Sequence, residues 1–214
     1  MDRIGKEQVA ELFECVGDIM ARNAERLCEM DARMGDGDLG LTMKKGFGAL
    51  PELIRGIEEE DLGKHLAKAG MKMSSVVPST MGTLMSSGIM EGGKRLSGSE
   101  SIGPKELAAF LSGYAAGIQK RGKCQPGDRT VLDAMQPAAE AAQAAADAGA
   151  TLAEVIRAAV GGADAGVEAT RGMTPKFGKA AVFAARAEGV EDQGAVAGQL
   201  VVHGLAEYIL KESE

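Results

Sequence analysis

The sequence predicts an all-α protein, eight or nine helices joined by short connections and packed as an antiparallel bundle or barrel. Three observations point there. Apolar residues recur at threes and fours through most of the chain, which is the period of a buried helix face. Alternating β-branched runs bounded by hairpin turns are nearly absent. The composition is 45% apolar but only 3% aromatic, with no Trp, so the core must be built from Ala, Leu, Val, Ile and Met, small enough to let helices approach closely. A chain of 214 residues with no linker, charge block or clean repeat reads as a single domain over 1–214.

Taken in order, residues 5–30 read as one amphipathic helix on Val9, Leu12, Phe13, Val16, Ile19, Met20 and Leu27. A second is expected over 41–57, kinked or split at Pro51, and a third over 61–73. A loop at 74–80 leads into a run of small and apolar residues to Leu96. Pro104 suits the first position of a helix through Lys120. Residues 121–127 form a Gly- and Pro-containing loop, and Asp128 is placed to open a long Ala-rich helix to Ala148. Thr151-Leu-Ala-Glu154 is a capping-box pattern for a helix to Thr170. Two more are expected over 176–187 and 192–210.

Charge and cysteines narrow the function. A net charge of −7 and a pI near 5.1 argue against non-specific binding to nucleic acid or to an anionic membrane. No apolar run approaches the ~20 residues of a membrane span, and the N-terminus carries no apolar signal core. Cys15, Cys28 and Cys124 are widely spaced, as expected of free thiols in a reducing compartment. The expectation is a soluble cytoplasmic protein.

Chemistry concentrates in Asp31-Ala-Arg-Met-Gly-Asp36-Gly-Asp38-Leu-Gly40. Three carboxylates fall within eight residues, with glycines between and after them. On a helix Asp36 and Asp38 would point to opposite sides; in an extended or turning segment they share a side, and Asp31 at the end of the preceding helix can approach them. Three ionised carboxylates held together repel unless a cation sits among them, and all-oxygen donors suit a hard ion such as Mg2+, which takes carboxylates together with substrate phosphates. Turn formation alone also accounts for Asp-Gly-Asp. A calcium EF-hand does not fit, because a loop starting at Asp36 puts Leu41 where its glycine belongs and Phe47 where its glutamate belongs.

Three further loops lead into helices. Residues 74–83 offer hydroxyls and N–H groups suited to an anion, or simply a cap from Ser79 or Thr80. Residues 122–133 do the same, with Asp128 as a cap. Lys179, in Gly178-Lys179-Ala180, offers a point charge to a phosphate or is an ordinary solvated lysine. His65 is expected on the surface and His203 packed in the core; neither neighbours the carboxylates, so no His-based nucleophile or base is expected. The methionines read as core gap-fillers. P-loop and dinucleotide fingerprints are absent.

In this order, these loops resemble the nucleotide-binding L subunit of dihydroxyacetone kinase. That family carries Asp-x4-Asp-[Gly/Ala]-Asp-His-Gly, a Gly/Ser loop ending in Gly-Thr, Arg-Gly-Lys-x-x-Pro-Gly-Asp-Lys-Thr, and Gly-Arg-Ala followed thirteen residues after its Arg by Asp-Pro-Gly-Ala. Matching here are Asp31 to Gly40, Gly82-Thr83, Arg121 to Thr130, Gly178-Lys179-Ala180 and Asp192-Gln193-Gly194-Ala195. The resemblance implies a barrel of eight antiparallel helices with ATP or ADP at one end. It implies two Mg2+ ions held by Asp31, Asp36 and Asp38. It assigns nucleotide contacts to Leu39, Gly40, Leu41, Thr42, Ser79, Thr80, Gly122, Val131, Lys179, Asp192, Gln193 and Gly194.

It further implies a phosphotransferase for a short ketose such as dihydroxyacetone, active only with a separate K-type sugar-binding subunit, the alternative within kinases being another short ketose or a polyol, such as a tetrulose. The resemblance also admits a phosphotransferase-system phosphocarrier as a second partner, and a non-catalytic nucleotide-binding regulator is the competing reading. The chain departs from the family at Leu39 for His, Lys179 for Arg and Gln193 for Pro, and in a shorter loop at Val77-Pro78-Ser79-Thr80.

Overall fold

The computed structural model describes residues 2–182 and 187–212. A two-residue strand β1 (Ile4–Gly5) and a 3-10 turn precede α1 (Val9–Arg22), α2 (Ala24–Ala32), α3 (Leu39–Arg55), α4 (Leu62–Val76) and α5 (Thr80–Lys94). There follow β2 (Ser101–Ile102), α6 (Pro104–Gly122), α7 (Leu132–Asp147), α8 (Leu152–Ala169), a second 3-10 turn, α9 (Gly178–Val182) and α10 (Gln193–Lys211). β1 and β2 form one antiparallel ladder, Ile4 opposite Ile102. Among the described residues no helix is long and apolar enough to cross a membrane, and all three cysteines are free.

Eight long helices close a ring. α1 packs on α3, α3 on α4, α4 on α5, α5 on α6, α6 on α7, α7 on α8, α8 on α10, and α10 back on α1. Neighbours run antiparallel. On α10 and α1, for example, Gly204 sits over Val16 while Tyr208 reaches Glu11. The interior is apolar and includes three aromatics in one cluster: Phe13, Phe110 and Tyr114 stack edge to face with centroids 6.3 and 5.9 Å apart, and the buried Tyr114 hydroxyl donates to Met85 Sδ at 3.2 Å. Glycine sets the wall thickness. A Cβ on Gly88 of α5 would lie 2.4 Å from the Tyr114 ring, so only a bare backbone lets α5 and α6 meet there. The all-α expectation and most helix positions hold.

The differences have local causes. The first helix breaks at Asn23, whose Nδ2 donates to Ile19 O at 2.9 Å, a side-chain bond that competes with the helical ladder. α3 passes through Pro51 without splitting. The Phe47 carbonyl, which has no N–H at residue 51 to accept from, lies against Gly17 of α1, 3.0 Å from where a Cβ would be. Asp128 does not open α7, which starts four residues later. Arg129 sits at φ 60°, outside helical space, and the buried Asp133 holds the turn by accepting from Gly127 N at 2.5 Å and Thr130 N at 2.7 Å. The Thr151 capping box forms as expected, with Thr151 N to Glu154 Oε2 at 2.8 Å. Of the helix expected over 176–187, residues 178–182 are helical and 183–186 lie outside the described residues.

Both histidine expectations are corrected. His65 is buried, with Nε2 2.9 Å from Ile54 O, because α4 turns Leu62, Leu66, Ala69 and Met73 inward and His65 shares that face. His203 faces outward at the α8–α10 seam, Nε2 2.7 Å from Asp164 Oδ1.

Candidate functional site

Four connections meet at one end of the barrel: residues 33–38, 77–79, 123–131 and 170–192. They surround a cleft of about 360 Å³. Four barrel helices, α3, α5, α7 and α10, begin there, so their positive dipole ends and first-turn N–H groups face the same space. Ser79 caps α5 through Gly82 N at 3.0 Å, and Asp192 caps α10 through Ala195 N at 2.8 Å. Asp38 and Val131 stand at the starts of α3 and α7 without a side-chain cap bond.

The acidic wall is built by a chain reversal. Asp31, buried at the end of α2, accepts from Gly37 N at 2.9 Å and Asp38 N at 3.2 Å through the same oxygen. Two glycines permit this. Gly37 sits at φ 77°, and a Cβ on Gly35 would lie 2.2 Å from Asp31 Oδ1. The reversal brings one oxygen each from Asp31, Asp36 and Asp38 within 4.8 Å of one another, with Asp36 and Asp38 open to solvent. An all-oxygen cluster with exposed lone pairs has the donor chemistry of a hard-cation site.

Lys179 reaches across from α9, its Nζ 2.8 Å from Asp36 Oδ2. That hydrogen bond holds the Asp36 carboxyl below its usual range and raises the Lys179 ammonium. Asp128 and Lys176 form a parallel pair at 2.6 Å, which with the Gln125 N–H lowers the Asp128 carboxyl.

Beneath the cleft lies a buried cation that sequence reasoning missed. Arg129 Nε donates to Thr170 O at 3.2 Å, and Nη2 to Ala187 O at 3.3 Å and Val190 O at 2.8 Å. Its Nη1 lies 4.0 Å from Asp192 Oδ1. One guanidinium thus ties the α6–α7 loop to Thr170 at the end of α8 and to Ala187 and Val190 before α10. Burial lowers Arg129 and pushes Asp192 up to about 6.

Of the residues expected to hold nucleotide, Leu39, Thr42, Ser79, Thr80, Val131, Lys179, Asp192, Gln193 and Gly194 line the cleft, together with Asp31, Asp36 and Asp38. Gly40, Leu41 and Gly122 do not. Gly40 is a packing residue, since a Cβ there would strike Ala24 O at 1.8 Å. Leu41 points outward, 63% exposed. Gly122 lies behind Leu84 and Cys124. Unforeseen lining residues are Met34, Gly35, Met81, Leu84, Arg129, Thr130, Phe177, Gly178 and Ala180. Met34 and Met81 are therefore wall residues and not only core fillers. Arg129 carried one signal, a charge inside a Gly/Pro loop beside Thr130, but its burial depends on carbonyls far away in sequence.

Fold and site together define a helical-barrel protein whose end cleft sets a cluster of three carboxylates beside a lysine and four helix starts. The chain belongs to the DAK2 domain family, whose model matches residues 33–207. It is 27% identical over 203 residues to the PEP-dependent dihydroxyacetone kinase, ADP-binding subunit DhaL, of Escherichia coli (strain K12), covering 95% of this chain and 97% of that one. It is 30% identical over 209 residues to the D-erythrulose kinase of Mycolicibacterium smegmatis, covering 97% of this chain but 36% of that one.

Among solved structures it is similar to the dihydroxyacetone kinase of C. freundii, with a TM-score of 0.69 at 26% identity over 94% of this chain and 34% of that one. The complex of that kinase with AMP-PNP and Mg2+ gives a TM-score of 0.68. The chain thus spans 97% of the E. coli subunit but about a third of these larger kinases.

Proposed function

We propose that this chain, as one unit over 1–214, is the ADP/ATP-holding subunit of a cytoplasmic dihydroxyacetone-type kinase. One observation carries the reading: three carboxylates, a lysine and four helix starts converge on a single cleft at one end of the barrel. Asp31, Asp36 and Asp38 would hold Mg2+, two ions by resemblance. When bound, the metal offsets the charge of the terminal phosphates. Lys179 turns from Asp36 to a phosphate oxygen, and the first-turn N–H groups of α5 and α10 donate to the others. Leu39, Met81, Leu84 and Val131 supply the apolar wall for the nucleoside.

Phosphoryl transfer then needs mainly position and electrostatics. It also needs an oriented hydroxyl acceptor and a group to take its proton. The cleft's carboxylates serve the metal or cap helices, and both histidines lie elsewhere. A K-type sugar-binding subunit would therefore supply the ketose and the base. Mixing this chain with such a subunit, Mg-ATP and dihydroxyacetone should give triose phosphate, and omitting either protein should give none. Sugar-dependent ADP release by this chain alone would contradict the division of labour.

The end-to-end match to a subunit named PEP-dependent and ADP-binding favours a second reading of the donor. In it, bound ADP is retained and rephosphorylated by a phosphotransferase-system phosphocarrier. Slow exchange of bound labelled ADP against free ATP would support retention; rapid exchange would support free ATP as donor.

A further inference from the structure

α9 carries Lys179 to the cleft on a small footing. It buries Ala180, which packs with Met34 and Ala187 in a cluster separate from the main core. Both companions are held by Arg129. Its Nη1 lies 3.8 Å from Met34 Sδ, and its Nη2 donates to Ala187 O at 3.3 Å. The same guanidinium donates to Thr170 O and Val190 O, and the Arg129 side chain is fully enclosed. Met34 stands between Asp31 and Asp36 in the acidic turn. One side chain therefore touches both the turn that presents the carboxylates and the footing of the helix that presents the lysine.

This arrangement is costly for a joint that only fills space. A buried guanidinium loses its hydration. Its carboxylate neighbour Asp192 is 4.0 Å away and caps α10 with its other oxygen. Arg129 also holds φ at 60°, a region disfavoured for any residue with a side chain. An apolar joint would close the same gap at less cost. What a rigid fork of donors adds is direction, fixing acceptors from three chain segments at set angles. We propose that Arg129 is a positioning residue: it fixes Met34 and Ala187 beneath α9 and so holds Lys179 in register with Asp36 for the phosphates of a bound nucleotide. This rests on the nucleotide-binding reading above. It goes beyond that reading by giving the alignment of lysine and carboxylates to a residue that need not touch the ligand.

The test is a double-mutant cycle on Mg-ADP affinity, pairing Lys179→Ala with Arg129→Met, which removes charge and donors together. Titration calorimetry of the full chain should show Arg129→Met weakening Mg-ADP about tenfold, as when a group that orients a ligand-holding side chain is lost. Lys179→Ala should cost about tenfold in wild type but about twofold or less once Arg129 is gone, because the lysine no longer stands where the phosphate lies. Hydrogen exchange of the free protein adds a measurement without nucleotide. The amides of Gly189, Val190 and Asp192 bond to Arg171 O, Ala187 O and Thr170 Oγ1. In Arg129→Met they should accelerate about tenfold more than those of α1 and α6. If Arg129→Met does not fold, Arg129→Lys, which keeps the buried charge but brings its donors from one atom, is read by the same two measurements. An undiminished cost of Lys179→Ala in the folded variant would overturn the proposal. So would exchange at those three amides that is unchanged, or that rises only in step with the whole barrel. Wild type that binds no Mg-ADP would instead defeat the nucleotide reading, while the exchange rates still decide whether Arg129 holds this junction.

Discussion

Lys179 donates to Asp36 across the mouth of the cleft, Nζ to Oδ2 2.8 Å, although 143 positions separate them in sequence. The ammonium is a resident counter-ion for the acidic wall, and a metal binding at Asp36, as proposed, would compete with it. Lys179→Ala should therefore bind free Mg2+ several-fold more tightly at low salt, where exposed charges act most strongly. The same variant should bind Mg-ADP about tenfold more weakly, the loss of one charge-assisted hydrogen bond to phosphate. Lys179→Arg should restore the nucleotide affinity. Calorimetric titrations of the three proteins with each ligand check this; a parallel change in both affinities would count against the exchange of partners.

The three aspartates should not behave alike. Asp31 is buried and holds the reversal through two N–H groups, whereas Asp36 and Asp38 are exposed. Asp36→Asn and Asp38→Asn should abolish Mg-nucleotide binding with the melting temperature kept or slightly raised, since one repelling charge is gone. Asp31→Ala should lose binding and also destabilise by about 1–3 kcal/mol, because two buried-side donors lose their acceptor. Thermal melts of the free variants separate the two classes.

Asp192 gives a pH dependence with a defined sign. Burial pushes its carboxyl from 3.8 to about 6, so between those values the folded state binds more protons than the unfolded one. Stability from this group is complete below about pH 4 and is lost as pH rises through about 6, on the order of 3 kcal/mol in the limit. Asp192→Asn should flatten that part of the stability curve. Urea melts of both proteins between pH 4 and 7 measure it; identical slopes would mean that the Arg129 charge fully offsets the burial.

Glycine placement makes two opposite predictions for one substitution. Gly88→Ala drives a methyl into the Tyr114 ring and should destabilise by about 1–3 kcal/mol. Gly161 is exposed on α8 with open space around its Cβ position. Gly161→Ala should stabilise by about 0.5–1 kcal/mol. Calorimetric melting of the pair tests whether the barrel wall is as close-packed as described.

Much of this molecule was legible in its sequence because the signals were local. Helix periodicity, the Thr151 capping box, and the Asp31–Asp36–Asp38 spacing each depend on neighbours within one or two turns. What was missed depended on partners distant in the chain. His65 was misplaced because the charges around it masked the inward face it shares with Leu62, Leu66 and Ala69, and its partner is a carbonyl on α3. Arg129 looked like a loop cation until the carbonyls of Thr170, Ala187 and Val190 closed around it. The close approach of α2 and α3 at Gly40, where a Cβ would meet Ala24 O, likewise depends on a partner sixteen positions away.

This barrel end should bind a nucleotide through metal held by Asp31, Asp36 and Asp38. Titration calorimetry of the wild-type chain with ADP, in Mg2+ and again in chelator, tests it most directly. The structure predicts saturable one-to-one binding in Mg2+ that disappears in chelator and in Asp38→Asn. Absence of binding in Mg2+, or equal binding in chelator, would contradict it.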